Sequence, residues 1–156
     1  MKNKLHKTNA ARHLDELHIP YELIAYPVDE ENLSAVHVAQ SLGQNIDQVY
    51  KTLVLRGDKT GFFVCVIPGA AELDMKAAAR ASGNKSCEML HVKELVPVTG
   101  YMRGGCSPLG MKKPFPTFIH EVRILWGLIH GRAGLRGLQI ELSPDDLLRA
   151  VPAVDL

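Results

Sequence analysis

Two stretches rich in β-branched and aromatic residues, Val49 to Leu55 and Gly61 to Ile67, flank the polar segment Arg56-Gly57-Asp58-Lys59-Thr60, a pattern that predicts a β-hairpin. The other elements are read around it. Thr8 caps a first helix with Ala10, Leu14 and Leu17 on one face, and Pro20 stops it. Tyr21 to Tyr26 is extended, with Tyr21, Leu23 and Ala25 on one side. The acidic turn Asp29-Glu30-Glu31 leads to a second helix, capped by Ser34 and striped by Ala35, Val38, Ala39 and Leu42, and Gly43 suits the left-handed residue after its end. Asp74 caps a helix over Met75 to Ser82 that Gly83 ends, and Ser86 to Leu90 returns as a short strand. After the loop Gly100 to Pro116 come strands near Thr117–His120, Arg123–Ile129 and Leu138–Leu142. Ser143-Pro144-Asp145-Asp146 then opens a last helix with a cap, a first-turn proline and acids at the positive end of its dipole.

This order does not alternate strand and helix as a doubly wound fold does. It predicts a mixed α/β fold: a central mixed β-barrel-like sheet with peripheral helices. At 156 residues, 46% hydrophobic and 22% charged, the chain has the composition of one ordinary globular domain over 1–156, which excludes disorder, collagen and coiled coil. No apolar run approaches the roughly 18 residues that span a bilayer, and the start Met1-Lys2-Asn3-Lys4-Leu5-His6-Lys7 lacks the apolar stretch of a signal peptide. A cytoplasmic protein is expected. Cys65, Cys87 and Cys106 form no Cys-x-x-Cys pair and the seven histidines no His-x-x-x-His pair, so neither a disulfide framework nor a zinc ribbon is indicated. Neither metal nor cofactor is expected.

The formal net charge of +1 conceals a division along the chain. Residues 100–137 hold Arg103, Lys112, Lys113, Arg123, Arg132 and Arg136 against Glu121 alone, while the remainder carries 12 basic and 16 acidic residues. The same segment contains eight of the 13 glycines. Close backbone approach together with basic side chains suits a phosphorylated ligand; tight turns carrying solvated charges are the alternative.

Lys51 falls on the face of its strand shared with Leu53 and Leu55, where an ammonium is costly without a partner. Either it marks a functional site or it guards a sheet edge. Gly104-Gly105-Cys106-Ser107-Pro108-Leu109-Gly110 is neither a Walker loop nor a dinucleotide fingerprint. Cys106 as a nucleophile, with glycine amides as an oxyanion hole, stands against Cys106 as an inert small hydrophobe.

Four blocks of sequence carry a resemblance. Gln48 to Val54, Val66-Ile67-Pro68-Gly69 with Glu72 to Lys76, Gly100 to Gly110, and Arg136 to Leu142 resemble, in order and over nearly the whole chain, the YbaK family of aminoacyl-tRNA deacylases. That family is similar to the editing domain of bacterial prolyl-tRNA synthetases, and the resemblance implies its fold. It also implies trans-editing deacylation of mischarged aminoacyl-tRNA, Cys-tRNA(Pro) or Cys-tRNA(Cys), by attack of the substrate's own thiol on its ester, with no metal and no protein nucleophile. Lys51 and Gly104 match the family's catalytic positions. Tyr26, Leu33, Gly105, Ser107, Pro108, Arg132, Gly134 and Arg136 fall at substrate-binding ones. Two departures stand out: Arg132 occupies the place of a serine, and Gln139 that of an aspartate. The expected partners are aminoacyl-tRNA and a prolyl-tRNA synthetase, with neither membrane nor DNA. The alternative is a non-catalytic module of the same fold that binds tRNA ends or a synthetase.

Overall fold

The computed structural model describes residues 7–156; the charged start before them, read above as lacking a signal sequence, lies outside the described residues. Helix α1 (Asn9–Glu16) begins where Thr8 Oγ1 accepts the Ala11 N–H at 3.2 Å, and it buries Ala10, Ala11 and Leu14. Leu17, expected on the same inward face, is 41% exposed. The helix ends at Glu16, His18 turns left-handed at φ 58°, and Ile19 takes the inward place with its N–H on Leu14 O at 3.0 Å.

Strand β1 (Glu22–Ala25) follows, with Tyr21 and Leu23 against the core but Ala25 exposed. Helix α2 (Ala35–Leu42) is capped by Ser34 and closed by Gly43 at φ 66°. The hairpin of β2 (Tyr50–Gly57) and β3 (Gly61–Pro68) is antiparallel from Tyr50↔Pro68 to Gly57↔Gly61. Helix α3 (Met75–Ser82) starts on Asp74 and stops at Gly83, and β4 (Cys87–Met89) adds to the free edge of β2. The caps fall where the sequence places them because each is a local bond between a side chain and an amide three residues on.

Two segments depart from expectation. Helix α4 (Val92–Thr99) is not foreseen, because Pro97 sits inside it and reads as a breaker. Tertiary contacts hold it: Arg56 Nη2 on β2 donates to Glu94 Oε2 at 2.6 Å, and Leu95 and Val98 pack against the main core, while the Gly100 N–H closes the helix locally on Val96 O at 2.8 Å. The strand expected over Arg123–Ile129 is instead a 3-10 turn, Glu121–Leu125, in which His120 Nδ1 accepts the Val122 N–H. Its apolar run reads as a buried strand, yet Ile124 is 75% and Leu125 69% exposed.

The remaining strands are β5 (Thr117–Ile119), β6 (Ile129–Arg132), β7 (Leu138–Leu142) and β8 (Val154–Asp155), with helix α5 (Pro144–Ala150) capped by Ser143. They complete a mixed five-stranded sheet, β4-β2-β3-β5-β8, and an antiparallel three-stranded sheet, β1-β7-β6. A bridge from Val49 to His130 joins the two into a barrel-like arrangement that stays open. The main core lies between the sheets, where Tyr50, Val54, Val64 and Val66 meet Ile129, Leu138, Ile140 and Leu142. On the opposite face of the hairpin, Leu55, Phe63 and Cys65 pack with Ala78 of α3. No helix among the described residues is long and apolar enough to cross a membrane.

Asn84 ties the hairpin loop to the end of α3. Its Oδ1 accepts from the Lys59 and Thr60 amides at 2.8 and 2.9 Å, and its amide donates to Thr60 Oγ1 at 2.9 Å and Ser82 Oγ at 2.8 Å. Replacing Asn84 by alanine removes the side-chain acceptor of the Lys59 and Thr60 amides, while Ser82 Oγ keeps its bonds to Ala78 O and Ala79 O, and is expected to cost about 1–3 kcal/mol. The expected signature is a fall in melting temperature of about 2–4 °C per kcal/mol lost; an unchanged melting temperature would exclude this role.

Candidate functional site

The two hydrophobic surfaces of β2 do not end at the same place. Leu53 and Leu55 lie under α3, but at Lys51, the next residue on that face, the cover runs out. There a cleft of about 400 Å³ opens among Lys51, Thr52 and Leu53 of β2, Glu31 to Ala35 ahead of α2, Arg103, Gly104 and Cys106 after α4, Gly69 after β3, and Arg132 at the end of β6. Gly69 is bare of necessity: a Cβ there would stand 2.6 Å from Ala35 Cβ.

Lys51 is half-buried, and burial pushes its pKa below the ordinary lysine range, with the Glu72 carboxylate opposing the shift. Gly104 has a left-handed backbone at φ 88°, and a Cβ on it would lie 3.2 Å from Leu33 Cδ1 and 3.4 Å from Arg136. Leu33 therefore sits directly against the Gly104 backbone, and any larger residue at 104 would displace it. Three basic side chains, Lys51, Arg103 and Arg132, line the cleft with a single carboxylate, Glu31. Such a cleft suits an anionic or strongly polarised ligand.

Of the residues that the sequence singles out, Lys51, Leu33, Gly104 and Arg132 come together here. Tyr26 and Arg136 line a small neighbouring hollow that shares Leu33 and Arg132. Gly105 is buried against the Leu135 backbone and is not part of the cleft lining. Ser107 is fully buried, its Oγ accepts the Leu109 N–H at 3.1 Å, and with Pro108 it borders a separate small cavity of about 20 Å³. Gly134 packs toward Tyr101 and Thr8. Thr52, Gly69, Arg103 and Cys106 also line the cleft, and the resemblance assigns none of them to the ligand. Arg103 had a signal, its place in the basic, glycine-rich stretch beside Gly104.

Both departures from the family pattern have partners within the fold. Gln139 is 2% exposed and exchanges amide hydrogen bonds with Gln44 at 2.7 and 2.8 Å. Arg132 Nη1 donates to Tyr26 Oη at 2.9 Å and Nη2 to Leu33 O. Cys106 lies on the cleft wall, yet burial pushes its thiol up to about 12. At pH 7 such a thiol is ionised to roughly one part in 10⁵, against a few per cent for a free thiol near 8.5.

The profile of the aminoacyl-tRNA editing domain matches residues 29–150, the span that contains every cleft residue named above. The chain belongs to that family. An Enterococcus faecalis protein named a candidate Cys-tRNA(Pro)/Cys-tRNA(Cys) deacylase, EbsC, is 51% identical over 142 residues, covering 91% of this chain and 87% of the relative. The uncharacterised protein YwhH of Bacillus subtilis is 27% identical over 109 residues, 70% of this chain and 69% of YwhH. Among solved structures, a candidate trans-editing enzyme for prolyl-tRNA synthetase superposes with a TM-score of 0.83 at 23% identity, covering 95% of this chain and 92% of that one. A hypothetical protein, APE2540, superposes at 0.85 and 21% identity, covering 95% and 97%. These likenesses fix the editing-domain fold.

The lowered Lys51 pKa has a sign that can be checked. Its charged form dominates below the lowered value, so a process that needs the ammonium fails as pH rises through that value, earlier than for a free lysine. Glu72→Gln removes the charge that raises the pKa and is expected to move the alkaline limb of the pH–rate profile to still lower pH. Between the lowered folded value and the ordinary unfolded one, the unfolded chain binds more protons, so this group makes stability rise with pH across that window. NMR titration of the Lys51 side chain checks the direction, and an unshifted titration would remove it.

Proposed function

We propose that this editing domain deacylates mischarged aminoacyl-tRNA in trans, clearing cysteine from tRNA(Pro) or tRNA(Cys), in the cytoplasm and as a single domain. The observation that carries the reading is the convergence of Lys51 and Gly104 on one open cleft in a chain of the editing family. The relative named for Cys-tRNA(Pro)/Cys-tRNA(Cys) deacylation supports the choice of cysteine. A synthetase that misacylates tRNA(Pro) supplies the substrate and is the expected partner. Support for one domain comes from the main core, to which both sheets contribute.

In this mechanism the cysteinyl sulfur attacks its own ester carbonyl carbon, the bond from that carbon to the ribose oxygen breaks, and the thiol proton ends on that oxygen. The products are tRNA with a free terminal hydroxyl and a cyclic thiolactone. Intramolecular delivery brings the nucleophile with the substrate, but the four-membered thiolactone ring is strained, so the sulfur has to be held in a near-attack position. Lys51 holds the phosphate or the carbonyl oxygen at the aminoacyl end, and the bare Gly104 backbone lets the ester approach closely. The contribution expected of the protein is orientation and charge.

Arg132 bears on the binding-module alternative. Its terminal nitrogens point to Tyr26 and Leu33, and the cleft remains about 400 Å³ with the arginine in place. The arginine therefore does not fill the cleft, and room for an aminoacyl end remains.

Lys51→Met is expected to lower kcat/KM on cysteinyl-tRNA by about 10²-fold or more, the scale of a lost transition-state contact to charge. Its melting temperature should match or exceed the parent's, because a half-buried cation has been removed. Retained turnover in a folded Lys51→Met protein would sink the site assignment.

A second measurement separates the nucleophiles. With a thiol pushed up to about 12, Cys106 is a poor attacking group, and Cys106→Ala is expected to keep most activity. Cysteinyl-tRNA should react much faster than seryl-tRNA, whose hydroxyl is the weaker nucleophile. Equal rates on the two substrates would exclude cyclisation through sulfur.

A further inference from the structure

The wall of the cleft that carries Leu33 has little packing of its own. Pro27 through Asn32, between β1 and α2, are all exposed, and the segment is shaped by its own turns, including Asn32 N–H to Asp29 O at 3.0 Å. Beside the Tyr26 N–H bond to Gly137 O at 2.9 Å, the packing of Val28 on Gly137 and the approach of Asp29 to His37 at 3.7 Å, what fastens it is a pair of arginines at either end of the turn between β6 and β7. Arg132 donates to Tyr26 Oη and Leu33 O, at the two ends of the segment. Arg136 Nη1 donates to Glu30 Oε1 at 2.6 Å in its middle, while Nε of the same guanidinium donates to Arg103 O at 2.8 Å on the facing loop. One side chain thus holds both walls, and where they meet Leu33 lies against Gly104.

We propose that Arg132 and Arg136 are positioning residues that set the separation of the Leu33 wall from the Gly104 wall, and through it the size of acyl group the cleft admits. The inference rests on the deacylase reading and names what makes that site selective. A bidentate guanidinium is suited to the task because its planar fork fixes two acceptors relative to each other, which a lysine cannot do. Size discrimination depends on such rigidity: one methylene of misfit is worth roughly 10–200-fold in a firm pocket, and a wall that yields gives that factor up. Tyr26, Glu30 and Arg136 lie outside the cleft lining, so a change of selectivity on altering them has to be transmitted through the wall.

The test measures kcat/KM on cysteinyl-tRNA and on tRNA charged with the bulkier thiol amino acid penicillamine, which keeps the attacking sulfur, for the parent, Tyr26→Phe, Glu30→Gln, Arg136→Met and the Tyr26→Phe/Arg136→Met pair, with melting temperatures and amide hydrogen exchange over 27–33. The preference for cysteinyl-tRNA is expected to fall about threefold in Tyr26→Phe and Arg136→Met and about tenfold in the pair, through gained activity on the bulky substrate. Exchange over 27–33 should quicken in step. An unchanged preference, or an equal loss on both substrates, would overturn the proposal. If Arg136→Met does not fold, Tyr26→Phe and Glu30→Gln decide it by the same ratio. If the parent does not cleave cysteinyl-tRNA, the deacylase reading fails and hydrogen exchange decides the clamp: faster exchange in the variants supports it, unchanged exchange overturns it.

Discussion

Everything at the cleft depends on the register of the β2–β3 pairing. Side chains alternate across a strand, so a slip of one residue would send Lys51, Leu53 and Leu55 into the core between the sheets and turn Tyr50, Thr52 and Val54 toward α3. The observed pairing, Lys51 opposite Ile67 and Leu53 opposite Cys65, puts the lysine at the end of an apolar row. The penalty for an unsatisfied buried ammonium opposes the slipped register as strongly as the apolar contacts favour the observed one. Lys51, which lines the cleft, thus also helps to specify the strand that presents it.

Charge around the cleft is divided between two tasks. Arg132 and Arg136 direct donors at two carbonyls, a phenol and a carboxylate of the protein, which fixes loops. Lys51 has no ion-pair partner among the described residues, and it lines the cleft. Composition alone treats all of these as one basic surface. The difference lies in which donors already have acceptors, and only the folded arrangement shows it.

That distinction marks the limit of what was legible in the sequence. Helix starts at Thr8, Ser34, Asp74 and Ser143, stops at Gly43 and Gly83, and the hairpin were readable because each depends on neighbours a few residues away. Helix α4 was hidden by Pro97 because its support comes from Arg56, distant in the chain, and Arg123–Ile129 misled because Ile124, Leu125 and Leu128 within it face solvent. At the site, Lys51 stood out as a charge in an apolar strand and Gly104 as part of a motif. Gly134 and Ser107 share the same glycine-rich neighbourhood, yet packing against Tyr101 and a turn at Leu109 explains their presence, and no local pattern separates those roles.

The pairing of β1 with β7 has a consequence for how the molecule comes into being. The hairpin closes over a short loop and can form early, whereas Glu22 must wait for Glu141 and Tyr26 for Arg132, 106 positions away. During synthesis the amino-terminal strand therefore emerges long before its neighbour exists, and the Leu33 side of the cleft has nothing to fasten it. A nascent chain that ends before β7 carries Lys51 on a hairpin but no enclosed cleft around it. Competence to act on an ester thus arrives with the last quarter of translation, so that an interrupted product of the ribosome is inert toward the charged tRNAs that surround it.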